Sequence, residues 1–489
     1  MATMLNWQNP RLQPQARCVL LLLNALCFIA LLLTAEASFA DDSKKPNVLL
    51  ICVDDLRPEL NCFGVSYIHS PNIDALAKDG TTFTQHYVQA PTCGASRFAL
   101  LTGRYGKSGN NALFRRAKMI AAEKKTSVSL PGWFRQNGYS TVAVGKVSHH
   151  PGGCGGENWD DTNDLEMPNA WDRQHLPAGK WKHPRGWMHG LANGEIRTSV
   201  AMDVFQSTEG DDSIYPDGLV TETAINEIGK MAEREKPLFL AVGLLKPHLP
   251  LGAPKRYFDL YRDKKLPPIP YPAKPNGKTK WHRSGEFMKY HRWNRDPNED
   301  SEFATEVRKH YAACVSYADA QVGKIIEALK KSDEYDRTII VLWGDHGWHL
   351  GEHNVWGKHT LFEESLRAPL IITAPKTTHV SSVSAVVESI DIFPTLCQLA
   401  RIAPPDSCQG VSLAKNLTDK NAKGHPAVSY FNNNQTIRDK RYRLIQHKDG
   451  TTELYDHASK EKEQKQIQDP EQLKRLQKIL AERLSSTRK

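Results

Sequence analysis

Asn47-Val48-Leu49-Leu50-Ile51-Cys52-Val53 runs straight into Asp54-Asp55. A near-continuous apolar run that stops abruptly in charge is the pattern of a parallel strand buried on both faces, here with two carboxylates at its carboxyl end. The same grammar recurs along the chain. Residues 82–88 read as a second strand feeding Cys93, 140–145 end at Lys146 and His149, and 237–242 end at Lys246-Pro247-His248. Residues 338–343 end at Asp345-His346, and 369–373 close the set. Between them, Phe303, Val307, Tyr311, Val315, Ala318, Val322, Ile326 and Leu329 step by three or four, one face of a long amphipathic helix that should pack on the sheet. Strands that finish in Asp, Lys or His, separated by helices, predict an α/β protein with a doubly wound, mostly parallel sheet and its site along the carboxyl edge.

After about Leu417 the pattern changes to short alternating runs at 428–431, 441–445 and 452–455. A helix follows from Asp469-Pro470, with Leu473, Leu476, Leu480 and Leu484 on one face. This predicts a smaller C-terminal antiparallel sheet plus helix. The expected partition is a leader at 1–40, a catalytic domain at 41–416 and a small subdomain at 417–489. Two long stretches, 151–216 and 266–300, carry no clear periodicity and are expected to wall the substrate pocket. Trp159, Trp171, Trp181, Trp187, Trp281, His282 and Arg283 are its candidates there, although tryptophans also serve simply to hold loops down.

The chain of 489 residues has an ordinary globular composition, which excludes collagen-like, coiled-coil and disordered classes. Arg11 and Arg17 precede an apolar run at 19–33, and Ser38-Phe39-Ala40 places small residues where a signal peptidase reads. Export with cleavage between Ala40 and Asp41 is expected, to the periplasm or beyond the cell, with no stable membrane span afterwards; an uncleaved anchor is the alternative. The formal net charge of +9 falls by one when Arg11, Arg17 and Glu36 leave. A basic exported protein suits anionic polysaccharides, and nothing in the sequence points to nucleic acid. Seven cysteines remain after cleavage, an odd count that suggests one with another fate.

Cys93-Gly94-Ala95-Ser96-Arg97 reads as a small reactive residue at the mouth of a short helix, with Gly103 placed for a left-handed cap and Arg97 one turn in. Helix N-termini attract anions, and the same field should acidify the thiol. Taken with Asp54, Asp55, Asp345, His346, Lys146, His149, His248 and Lys358, the strand ends form one constellation. Three converging carboxylates repel one another unless a cation lies among them, and carboxylate oxygens favour a hard ion, calcium before magnesium. His346 is a poor ligand for so hard an ion and could equally hydrogen-bond the site. Arg97, Lys146 and Lys358 would neutralise a tetrahedral ester anion, and two histidines from different strand ends can divide base and acid roles.

Cys93 to Arg97, followed by Leu101-Thr102-Gly103-Arg104, resembles the signature of the type I sulfatases. The flanking motifs around Asn47 to Pro58, Val144 to His149, Lys246 to Pro250 and Asp345 to His353 are similar to the iduronate-2-sulfatase branch. The resemblance implies the alkaline-phosphatase-like fold and conversion of Cys93 to formylglycine. It implies a one-calcium site at Asp54, Asp55, modified Cys93, Asp345 and His346, with Arg97, Lys146, His149, His248 and Lys358 binding sulfate or moving protons. It further implies a maturation partner, either a formylglycine-generating enzyme or an anaerobic sulfatase-maturating enzyme, and a sulfated glycan substrate, most narrowly the 2-O-sulfate of a uronic acid. Ala95 stands where many relatives have Pro; the signature accepts both. Alternatives are a sulfatase of another sugar, a phosphonate or phosphate monoester hydrolase of the same superfamily, and a non-catalytic binder of sulfated glycans. Cysteine at 93, where the two-metal phosphatases of that superfamily need Ser or Thr, argues against those phosphatases.

Overall fold

In the computed structural model, which describes residues 45–155, 161–197, 202–275, 277 and 282–485, Asn47–Val53 is a fully buried strand, β1. It lies inside an eight-stranded sheet with Thr81–Tyr87 (β2), Ser140–Gly145 (β3), Arg173–His175 (β4), Leu238–Leu244 (β5), Thr338–Gly344 (β6), Leu370–Thr373 (β7) and Ser382–Glu388 (β8). The spatial order is β8-β2-β7-β6-β1-β5-β3-β4. Alternate residues of β1 enter opposite layers. Leu49, Ile51 and Val53 join one core with Val307, Tyr311 and Val315, while Val48, Leu50 and Cys52 join another with Leu100, Leu101 and Phe393. Burial on both faces is what an uninterrupted apolar run requires.

The expected mostly parallel sheet is present, with one strand reversed. Residues 369–373 read as a member of the parallel set, but β7 is antiparallel to both β6 and β2. The chain leaving β6 builds the loop with Asp345, His346 and Lys358 and re-enters the sheet as β7 beside β6. The edge strands β4 and β8 carry no clean apolar signal and were not expected. The long helix, Ser301–Lys331, buries Phe303, Val307, Tyr311, Val315, Ala318, Val322, Ile326 and Leu329, and the Asp300 side chain caps it by accepting from Phe303 N–H at 2.9 Å.

The C-terminal sheet has four antiparallel strands, Ala427–Phe431, Asn434–Arg438, Tyr442–Gln446 and Thr452–Asp456, where three were expected. The second is mostly polar, yet it buries Thr436, Ile437 and Arg438. Leu476 and Leu480 of the helix Pro470–Ser485 are buried, with Leu473 and Leu484 packed alongside. The leader lies outside the described residues, and no helix among those described is long and apolar enough to cross a membrane.

Charge also ties this sheet to the rest. Glu388 at the end of β8 accepts from the Tyr105 hydroxyl at 2.8 Å and pairs with Arg483, while His425 contacts Asp391 at 2.9 Å and Glu388 at 3.4 Å. Burial pushes His425 down, but the Asp391 and Glu388 carboxylates more than offset it and hold the imidazole at about 9. A folded-state value above the unfolded one stabilises the fold fully below pH 6.5, and that contribution is lost as pH rises through 9. Thermal unfolding of the wild type should therefore drop in midpoint between pH 7 and 10. In His425→Gln that part of the slope should vanish.

Candidate active site

The strand ends interlock before any side chain is considered. Asp54 N–H donates to the Leu244 carbonyl at 3.1 Å, Asp345 N–H to Val53 at 3.3 Å, and Lys146 N–H to Gly243 at 2.9 Å. Each residue just beyond β1, β6 and β3 is thus fixed to the end of its neighbour. Gly243 is required there, since a Cβ would meet the Lys146 carbonyl at 2.0 Å. Asp217, in the first turn of Pro216–Gly229, accepts from Leu245 N–H at 2.6 Å and Lys246 N–H at 2.8 Å and holds the end of β5. Asp55 has φ 57°, a left-handed conformation that Asp tolerates. Its N–H donates to Asp345 Oδ1 at 2.9 Å.

Cys93 is the first residue of the helix Cys93–Thr102, and Gly103 closes it at φ 63° with its N–H on the Ala99 carbonyl, as expected. Arg97 lies fully buried beneath the strand ends. Its Nε donates to Asp345 Oδ2 at 3.0 Å, its Nη2 to Asp54 Oδ1 at 3.1 Å, and its Nη1 to the carbonyls of Lys146 and Val147. Lys146 Nζ donates to the other Asp54 oxygen. Lys358 Nζ donates to Asp55 Oδ1 at 2.9 Å and to Cys93 Sγ at 3.4 Å. Arg97, Lys146 and Lys358 thereby balance three carboxylates that are wholly shielded from solvent.

His346 Nδ1 lies 3.1 Å from the Gly347 carbonyl, which can only accept, so Nδ1 carries the hydrogen. Burial and Lys358 hold the ring neutral. Its Nε2 lone pair therefore accepts from the Cys93 thiol at 3.2 Å and faces the acceptors Asp55 Oδ1 at 3.3 Å and Asp345 Oδ1 at 3.6 Å. Burial and Asp54 push Asp345 up to about 7, and burial drives Asp55 well above the carboxylate range. Donor atoms of Asp54, Cys93, Asp345 and His346 lie within 4.8 Å of one another. So many mutually repelling acceptors in one dry space fit a bound cation.

A ring nitrogen of His248 belongs to a second such group with Asp54, Asp55 and Cys93. His248 Nδ1 is 2.6 Å from the Leu249 carbonyl, and Lys246 Nζ braces this turn through the carbonyls of His248 and Pro250. His149 is buried beside His150, at 4.9 Å between rings, and burial together with Lys146 keeps it unprotonated. All the residues singled out in the sequence, Asp54, Asp55, Cys93, Arg97, Lys146, His149, His248, Asp345, His346 and Lys358, are buried at this edge.

One expectation is reversed. The helix mouth should acidify Cys93, but burial and Asp54 outweigh Lys146 and Lys358 and raise the thiol well above its ordinary value. An unmodified thiol here is neutral. Trp181 and Trp187 are core residues rather than pocket walls, Trp171 packs toward Phe239, and His282 accepts from Leu361 N–H at 3.1 Å. Arg283 is exposed, and Trp159 and Trp281 lie outside the described residues. What the two long stretches do bring to the site is His189, whose ring is 5.9 Å from that of His248, and Glu286, whose oxygens lie 3.3 Å from Lys358 Nζ and 3.7 Å from His248 Nε2. Neither was singled out in the sequence.

Comparison with known proteins agrees with this geometry. The sulfatase family model matches residues 46–402, and a model of the C-terminal part of N-sulphoglucosamine sulphohydrolase matches 351–489. The chain is 31% identical to a sulfatase of Formosa agariphila over 473 residues, covering 90% of this chain and 86% of the relative. It is 31% identical to human iduronate 2-sulfatase over 430 residues, covering 79% and 74%. The crystal structure of phosphonate monoester hydrolase of Agrobacterium radiobacter shares the fold with a TM-score of 0.69 at 23% identity, covering 91% of this chain and 95% of that one. A buried Cys-x-x-x-Arg helix mouth among carboxylates, lysines and histidines, in a chain matched over most of its length, has one consistent reading: the protein belongs to the sulfatase family, in a branch like that of iduronate 2-sulfatase, and is a sulfuric ester hydrolase.

Proposed function

We propose that this exported protein removes a sulfate ester from a sulfated glycan, most narrowly the 2-O-sulfate of a uronic acid, after a maturation enzyme has converted Cys93 to formylglycine. The observation that carries the proposal is the surroundings of Cys93: its sulfur lies within 4.8 Å of donor atoms of Asp54, Asp55, Asp345, His346 and His248, and 3.4 Å from Lys358 Nζ. Asp54, Asp55, Asp345 and His346 would hold calcium, with position 93 as the remaining donor. When present, the ion supplies positive charge and the hydrated aldehyde supplies the attacking oxygen.

The chain's own residues do the rest. Lys358, braced by Asp55, sets its positive charge beside the sulfate oxygens, and Lys146 and Arg97 keep Asp54 ionised and in place. His248 keeps Nδ1–H on the Leu249 carbonyl, and burial, Lys358 and Lys146 hold the ring neutral, so Nε2 first takes up a proton once the anionic ester offsets those lysines and then hands it to the departing sugar oxygen. Neutral His149, next to Lys146, is placed as the base. Near-complete burial of these groups keeps bulk water away from the ester.

Sulfate release from a panel of sulfated disaccharides tests the reading. Turnover of 2-O-sulfated uronates above the other members is expected. Turnover of other sulfated sugars with failure on every 2-O-sulfated uronate would overturn the narrower claim, and tight binding without any sulfate release would leave a glycan-binding protein instead.

A further inference from the structure

Unlike Asp54, Asp55 and Asp345, which are sealed from solvent, Glu286 has a partly exposed side chain, although its Oε2, the oxygen nearest Lys358, is buried. Its side chain is 24% exposed, against 3% for Lys358 and 1% for His248, the two groups that its oxygens approach. On the sulfate-ester reading, Lys358 serves the sulfate and His248 the departing oxygen, which would put Glu286, in contact with both, where the sugar meets the protein. It is held firmly there. Phe287 is fully buried 5.8 Å from the Trp356 ring, Ser284 Oγ accepts from Trp356 N–H at 2.8 Å, and the Tyr290 hydroxyl meets His189 Nδ1 at 3.2 Å. Burial raises Glu286, but Lys358 outweighs it and keeps the carboxylate ionised. An ionised carboxylate is acceptor-only: it takes hydroxyl hydrogens strongly and repels anions.

We propose that Glu286 is a specificity residue, accepting a hydrogen bond from the free hydroxyl next to the sulfated carbon and turning away sugars that carry a second anionic group there. This rests on the sulfate-ester reading above. In a 2-O-sulfated uronic acid the partner is the 3-hydroxyl, while the sugar's own carboxylate, on the far side of the ring, escapes the repulsion.

The test compares wild type, Glu286→Gln and Glu286→Asp, each with position 93 matured, on three sulfated monosaccharide glycosides whose neighbouring position carries a hydroxyl, a hydrogen or a second sulfate. Wild type should prefer the hydroxyl substrate over the deoxy one by about 10- to 100-fold in kcat/KM. Glu286→Gln should lose most of that preference, fall less than about threefold on the deoxy substrate, and gain on the doubly sulfated one. Glu286→Asp, which keeps the charge, should still reject the second sulfate. Equal losses by Glu286→Gln on the hydroxyl and deoxy substrates, with an unchanged unfolding midpoint, would overturn the proposal, because the residue would then act through Lys358 and His248. Wild type inactive on all three would overturn the sulfate-ester reading itself.

Discussion

Cys93→Ala is expected to abolish sulfate release, with kcat reduced by roughly 10⁴- to 10⁶-fold, the range seen when a covalent nucleophile is removed from an otherwise intact site. The fold should survive. Cys93 is the first helical residue, alanine is a good helix former there, and the lost sulfur leaves a small gap worth about 1 kcal/mol at most. Arg97, Lys146 and Lys358 keep their carboxylate partners in the variant, so sulfated ligands should still bind. Steady-state sulfate release, ligand titration and thermal unfolding on the same preparation check the three parts. Substantial residual turnover would mean that another group attacks sulfur.

Removal of divalent cations should give the second largest effect, near-complete loss of activity restored by added calcium. Stability supplies a readout independent of turnover. Asp345 and Asp55 are driven upward by burial and by the charge of Asp54, and His346 Nε2 faces their oxygens, so a cation relieves repulsion only in the folded state. At a free concentration one hundred times Kd, such a ligand adds about 2.7 kcal/mol of stability. A chelator should therefore lower the unfolding midpoint by several degrees, and calcium should raise it again. Asp345→Asn, which removes one carboxylate charge from the group, should show a weaker midpoint response to calcium and far lower activity. An unfolding midpoint unmoved by chelator and calcium in the wild type would argue that the carboxylates are satisfied by Arg97, Lys146 and Lys358 alone.

The legibility of this chain follows burial. β1 could be read because a strand covered on both faces has to be apolar throughout, and its site residues could be read because charge then appears at one sharp boundary. Arg173–His175 and Asn434–Arg438 could not, since edge and C-terminal strands escape that requirement. The reversal of β7 was hidden because a strand of four residues, three of them apolar, carries no sign of direction. Glu286 was hidden for another reason. It precedes a single turn of helix, Phe287–Lys289, in a stretch with no period to place it, and only the buried Phe287 next door marks that the turn is anchored. The thiol shift of Cys93 went the opposite way from expectation because dipole reasoning counts the helix and leaves out desolvation by burial and the negative charge of Asp54 and Asp345. That reversal bears on chemistry, since a protonated, buried thiol is a weak nucleophile, which supports the proposed conversion of position 93.

The most direct measurement is mass spectrometry of the peptide containing Cys93, from protein produced in a host that carries a sulfatase-maturation enzyme. Sulfur should be replaced by aldehyde oxygen at residue 93, in a fraction that tracks specific activity from one preparation to the next. An intact Cys93 thiol in fully active protein would contradict the account.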